Sequence, residues 1–128
     1  MDVKTRQRIA KFKQIADVWY DEQPDWVEGG CADVSLALWQ IAKKLKWPCL
    51  LVTGCATVKS DEFNHVWLQM SGVRFDPVAY ACGYRVKRYS PMRGNQAEQL
   101  KIVTEFYGAS TEEDHDYSDE TIEKFQLS

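Results

Sequence analysis

FNHVWLQMSGVRFDP, residues 63–77, reads as two short antiparallel strands joined by a tight turn. Apolar and aromatic residues run from Phe63 to Met70 and again from Val73 to Phe75, and Ser71–Gly72 is a natural two-residue hairpin turn. Strand side chains alternate, so Phe63, His65, Trp67 and Gln69 share one face. With a two-residue turn the pairing follows by counting: Met70 faces Val73, Leu68 faces Phe75 and Trp67 faces Asp76. Asp76 then lies diagonal to His65 on the same face, about 7–8 Å away between α-carbons. That is within reach for the carboxylate to bond the imidazole and fix its tautomer. One more residue in the turn would put the two groups on opposite faces.

Working outward from this hairpin, Cys49-Leu-Leu-Val-Thr53 is an apolar run between Pro48 and Gly54 and suits a buried strand. Before it, the pattern is helical from Cys31. Leu36, Trp39, Ala42 and Leu45 face one way, Lys43, Lys44 and Lys46 face water, and Pro48 closes the helix. Pro24 and Gly29–Gly30 make 21–30 a loop, and Ile9, Phe12, Ala16 and Trp19 mark an amphipathic helix over 4–19. After the hairpin, 78–90 is mixed, with Val86 and Tyr89 in a further strand. Leu100, Val103 and Phe106 or Tyr107 suggest a helix over 95–107. The expected architecture is α+β: an N-terminal cysteine helix packed on a mostly antiparallel sheet, in one domain spanning 1–110. The remainder, 111–128, is an acidic C-terminal tail or short helix. Glu112, Glu113, Asp114, Asp116, Asp119, Glu120 and Glu123 stand there against Lys124, which favours a solvated segment.

Composition narrows the function classes. A chain of 128 residues with 45% apolar side chains can build one core without covalent staples. The net charge of −3 argues against nucleic-acid binding. No apolar run approaches the roughly 18 residues of a membrane span, and the basic N-terminus has no signal-peptide pattern, so a cytoplasmic location is expected. The four cysteines have no C-x-x-C spacing and the two histidines lie far apart, which predicts reduced thiols and no metal site. No phosphate loop or cofactor fingerprint is present, and none is expected to be needed. Trp19, Trp26, Trp39 and Trp47 read as core or rim residues.

Cys31 is singled out by its position. It follows Gly29–Gly30 and opens a helix, where unpaired N–H groups and the helix dipole favour negative charge. The thiolate is the nucleophilic form of cysteine. The glycines allow a substrate backbone to come close. Joined with an imidazole on one strand and a carboxylate on the next, Cys31, His65 and Asp76 make the set that nucleophilic catalysis needs. Acyl transfer also needs an oxyanion hole. The backbone N–H of Cys31, beside Gly30, is one donor; Gln23 or the indole of Trp26 is a candidate for the second.

GGCADVSLAL (29–38) followed by LKWPCLLVTG (45–54), His65-Val-Trp67 and Asp76-Pro77 resemble the transglutaminase-like branch of the papain-fold cysteine proteases. The likeness covers roughly 29–77. It implies a papain-like core with Cys31 as nucleophile, His65 as general base and acid, Asp76 as the orienting group and Trp67 as a wall beside the site. Where that family often carries a glycine ahead of the proline and an arginine after it, this chain has Lys46 and Leu50 or Leu51. Three functions are consistent with these residues. They are a thiol hydrolase or protease acting on an amide or (thio)ester, a transglutaminase-type acyltransferase with an amine acceptor, and a non-catalytic binding module of the same fold. The expected partner is a peptide, protein or small-molecule acyl donor.

Overall fold

Ser71 and Gly72 both take left-handed backbone, with φ of 49° and 81°. This is the type I′ geometry that matches the twist of antiparallel strands. The register counted from the sequence is the one found, with Met70 opposite Val73 and Leu68 opposite Phe75. The computed structural model describes residues 1–23, 30–109 and 114–128, with the backbone alone over 114–117. The chain is mixed α+β, with a curled antiparallel sheet of four strands.

In chain order the elements are α1 (Val3–Glu22), α2 (Cys31–Lys44), β1 (Cys49–Val58), β2 (Asp61–Met70), β3 (Val73–Phe75), α3 (Pro77–Cys82), β4 (Arg88–Pro91), α4 (Gln96–Lys101) with a π-helical turn (Ile102–Phe106), and α5 (Asp114–Lys124). The strand order across the sheet is β3-β2-β1-β4. A second tight turn, with Lys59 at φ 57°, joins β1 to β2 along a continuous register from Cys49↔Met70 to Val58↔Asp61.

Several elements run differently from the sequence expectation, each for a local reason. Helix α1 extends to Glu22, past Trp19 and Tyr20, because both rings are buried and hold its last turns. Helix α2 stops at Lys44. Lys46 turns left-handed at φ 59° and Trp47 N–H reaches back to Ala42 O at 2.8 Å, so the stop precedes Pro48. Strand β1 passes through Gly54 instead of ending there. A β-carbon on Gly54 would sit 2.2 Å from Ser90 O, so the glycine lets β4 approach, not the chain turn. Asp76, Pro77 and Gly83 are the N-cap, first helical residue and left-handed C-cap of α3, which occupies the first half of the mixed segment. Tyr89 lies in β4, but Val86 does not.

Helix α2 packs on β1 and β2, and α1 packs on α3 with Phe12 against Trp47 and against Phe75 of β3. Phe12, Ile15, Leu36, Leu38, Ile41, Leu51, Leu68 and Met70 are fully buried in the core these elements build. Each contributes about 1.5–3 kcal/mol by leaving water. Helix α2 is buried on most of its circumference, because α5 packs on it as well. The acidic C-terminal residues therefore include a docked helix. Ile122, Phe125 and Leu127 join the core, Lys44 Nζ meets Asp119 Oδ1 at 2.9 Å, and the Trp47 indole donates to Ser128 O at 3.2 Å. The charge excess masked these few apolar anchors. Trp19, Trp39 and Trp47 are core residues, and Trp26 lies outside the described residues.

The edge of β1 is finished by side chains. Strand β4 pairs with Gly54–Thr57, and beyond that point two glutamines three apart, Gln96 and Gln99, take its place. Leu51 N–H donates to Gln96 Oε1 (2.7 Å), and Gln96 Nε2 donates back to Leu51 O (3.0 Å). Thr53 N–H donates to Gln99 Oε1 (2.9 Å), whose amide nitrogen reaches Met92 O (3.1 Å). Each primary amide mimics a strand peptide, so the backbone groups of β1 stay paired.

Candidate active site

Ser35 Oγ donates to Val66 O at 3.3 Å and pins α2 against the middle of β2. Cys31 lies one turn before Ser35 on the same helix face, which carries its thiol towards the strand bearing His65. Gly30 is the N-cap of α2, and its carbonyl accepts Val34 N–H at 3.0 Å. The N–H of Cys31, in the first turn, has no partner within the helix.

His65 and Asp76 meet as the hairpin count predicts. His65 Nε2 lies 2.7 Å from Asp76 Oδ2, and both side chains are almost wholly buried. With Nε2 engaged, Nδ1 is the ring nitrogen left for the thiol. Burial opposes the imidazolium, but the hydrogen bonds to Asp76 and Cys31, together with their charges, overcome it and push His65 up to about 9. Cys31 and His65 share a cavity of about 450 Å³ whose other walls are Val58, Phe63, Asn64, Val78, Tyr84 and Tyr107.

Three donors converge on Asp76. Oδ2 takes His65 Nε2 and the Tyr89 hydroxyl (2.8 Å), while Oδ1 accepts Ala79 N–H (3.1 Å) as the cap of α3. Burial, and next the nearby Asp76 carboxylate, push the Tyr89 hydroxyl well up, so it remains a donor. Its ring packs edge-on against Trp67 at 5.0 Å and lies 3.8 Å beneath the Arg74 guanidinium. Arg74 belongs to β3 and Tyr89 to β4, the two outer strands. Their contact is the curl of the sheet expressed in side chains. Tyr89 is the site residue that sequence reasoning missed. Its strand was foreseen, but the closure that carries it to Asp76 leaves no local signal.

Of the remaining candidates, Trp67 is buried and stacks on His65 with ring centroids 6.0 Å apart, backing the imidazole and not lining the cavity. Gln23 caps the end of α1 with its side chain exposed and does not line the cavity either, because α1 runs three residues further than expected. Trp26 lies outside the described residues. The other thiols have different surroundings. Burial pushes Cys49 up to about 12, and burial and then Asp76 raise Cys82. Cys55 Sγ faces Asn64 Oδ1 at 3.8 Å. Among the described residues no cluster of His, Cys, Asp and Glu is placed to hold a metal ion, and no helix is long and apolar enough to cross a membrane.

Compared with known proteins, the chain matches no family model, no curated protein and no solved structure.

Proposed function

We propose that the chain is a cysteine-nucleophile hydrolase acting on an amide or (thio)ester through Cys31, His65 and Asp76, on a core of papain-like, transglutaminase-like type. The observation that carries this reading is the buried imidazole of His65, held by a carboxylate on one nitrogen and interacting with a cavity-facing thiol. His65 takes the thiol proton, and the sulfur attacks the acyl carbon. The S–C bond forms as the carbonyl π pair moves to oxygen, where the N–H of Cys31 stands as a donor. Collapse of this intermediate expels the leaving group, which takes the proton from His65. Water then adds to the thioester with His65 as base, releasing the acid and the free thiol. Asp76 holds the ring throughout and stabilises its charged form. A cytoplasmic location, where thiols stay reduced, suits this chemistry.

Iodoacetamide labelling at neutral pH followed by peptide mass spectrometry tests the nucleophile. Cys31 should react at least tenfold faster than Cys49, Cys55 and Cys82, and His65→Ala should remove that advantage. Equal, slow labelling of all four thiols would leave a binding module as the better reading. With fluorogenic amides, turnover without any added amine supports hydrolysis, and a strict amine requirement marks an acyltransferase. Cys31→Ala should abolish turnover at unchanged Tm, and Asp76→Ala should cost less than His65→Ala.

A further inference from the structure

A second cavity, of about 400 Å³, adjoins the one that holds the thiol. It lies between β1, β4 and the π-helical turn, and Asn64 and Tyr107 line both cavities. Tyr107 shares the first cavity with Cys31 and the second with Cys55, and its hydroxyl is pushed up to about 12, first by burial and then by those two thiols. Asn64 and Tyr107 are thus the walls the two spaces have in common.

The lining of this second cavity is apolar and uncharged. Gly54, Cys55, Met92, Ile102 and Phe106 make most of it, with Thr53, Ser90, Asn64 and Tyr107 adding neutral polar atoms. In a chain with 27% charged residues, no Lys, Arg, Asp or Glu among the described residues lines either cavity. A charged group entering the second cavity would lose its water without meeting an opposite charge there. Phe106 and Met92, 69% and 54% exposed, form an apolar rim. Phe106 is held outward by the π-helical turn, a local distortion that often marks functional positions. The cavity's volume is at the small end of ligand sites, about 300–1,000 Å³, and fits one side group and not a folded partner.

Resting on the nucleophile reading above, we infer that this second cavity is the specificity pocket of the Cys31 site, and that the substrate is an uncharged acyl donor with a branched or aromatic group beside the reacting carbonyl. The group enters past Tyr107 and Asn64 and is buried against Met92, Ile102 and Phe106, which orients the carbonyl over the sulfur. Selectivity then comes from desolvation: apolar groups gain by entering, and charged groups are rejected.

The test uses the full chain and four N-substituted chloroacetamides bearing benzyl, isobutyl, carboxymethyl or aminoethyl groups. Rates of Cys31 alkylation are read by intact mass and divided by the iodoacetamide rate of the same protein. The benzyl and isobutyl probes should exceed both charged probes by at least tenfold. In Met92→Glu and in Phe106→Glu, both at exposed positions, the ratio should collapse and shift towards the aminoethyl probe. Equal normalised rates for all four probes on a fast-reacting Cys31 would overturn the pocket while leaving the nucleophile intact. A Cys31 that is slow with every reagent, iodoacetamide included, would overturn the nucleophile and the pocket with it.

Discussion

The buried His65–Asp76 pair should make the stability of this protein fall with rising pH across a range where most proteins are indifferent. The folded His65 sits at about 9 against an ordinary 6.5. A group whose folded value is raised lends stability that is complete below its unfolded value and is lost as pH climbs through the folded one. The window therefore runs from about 6.5 to about 9. The His65 side chain is only 2% exposed, so little is lost to solvent screening. Every tenfold gain in proton affinity on folding is worth about 1.4 kcal/mol. The total is therefore near 3 kcal/mol, of which about 2 kcal/mol disappears between pH 6 and pH 8. Above that range Cys49 and Cys82, raised in the fold, add losses of the same sign, so pH 6–8 is where His65 is read cleanly. The assay is urea unfolding at half-unit pH steps, in wild type and in Asp76→Asn. Asparagine can still cap α3 through its one amide oxygen, while its NH2 group, in place of Oδ2, donates to the Tyr89 hydroxyl instead of accepting from it, and the charge that holds the imidazolium is gone. The fall should be clearly smaller in the variant without vanishing, because the hydrogen bond and charge of Cys31 still favour the imidazolium. His115 is common to both chains and cancels from their difference. A wild-type free energy that stays level from pH 6 to 8, or an equal decline in both proteins, would refute the reasoning.

Other outcomes follow from single contacts. Tyr89→Phe keeps the ring under Arg74 and against Trp67 but removes a donor to a buried carboxylate, and should cost about 1.5–3 kcal/mol in urea unfolding. Gly54→Ala drives a β-carbon into Ser90 O and should cost about 1–3 kcal/mol, with earlier amide exchange at Lys87 and Met92, whose N–H groups donate to β1, as β4 detaches. Gln99→Ala strands Thr53 N–H and Met92 O and should lower the unfolding free energy by about 1–3 kcal/mol. Gln96→Ala, on the less buried amide, should cost less.

How far the site was legible in the sequence depended on how local each determinant is. Period-two alternation and a two-residue turn suffice to place Asp76 beside His65, because both act within fourteen residues. The start of α2 at Cys31 was equally readable from Gly29–Gly30. The start and stop signals of α3 were present in Asp76-Pro77 and Gly83, but six residues are too few to show a helical period. Tyr89 was out of reach for another reason. It is joined to Asp76 by the rolling of a whole sheet, a sum of small twists that no short window contains. The docking of α5 fell between these cases, with its few apolar anchors hidden among acidic neighbours.

The glutamine amides beside β1 have a consequence for self-association. An open strand border is a template on which another polypeptide can zip and seed a fibre. Here two neutral side chains occupy those docking positions at Leu51 and Thr53 without offering a further border of their own. Growth of the sheet in that direction ends at α4, so any event that lifts α4 away would turn this flank into a nucleation point.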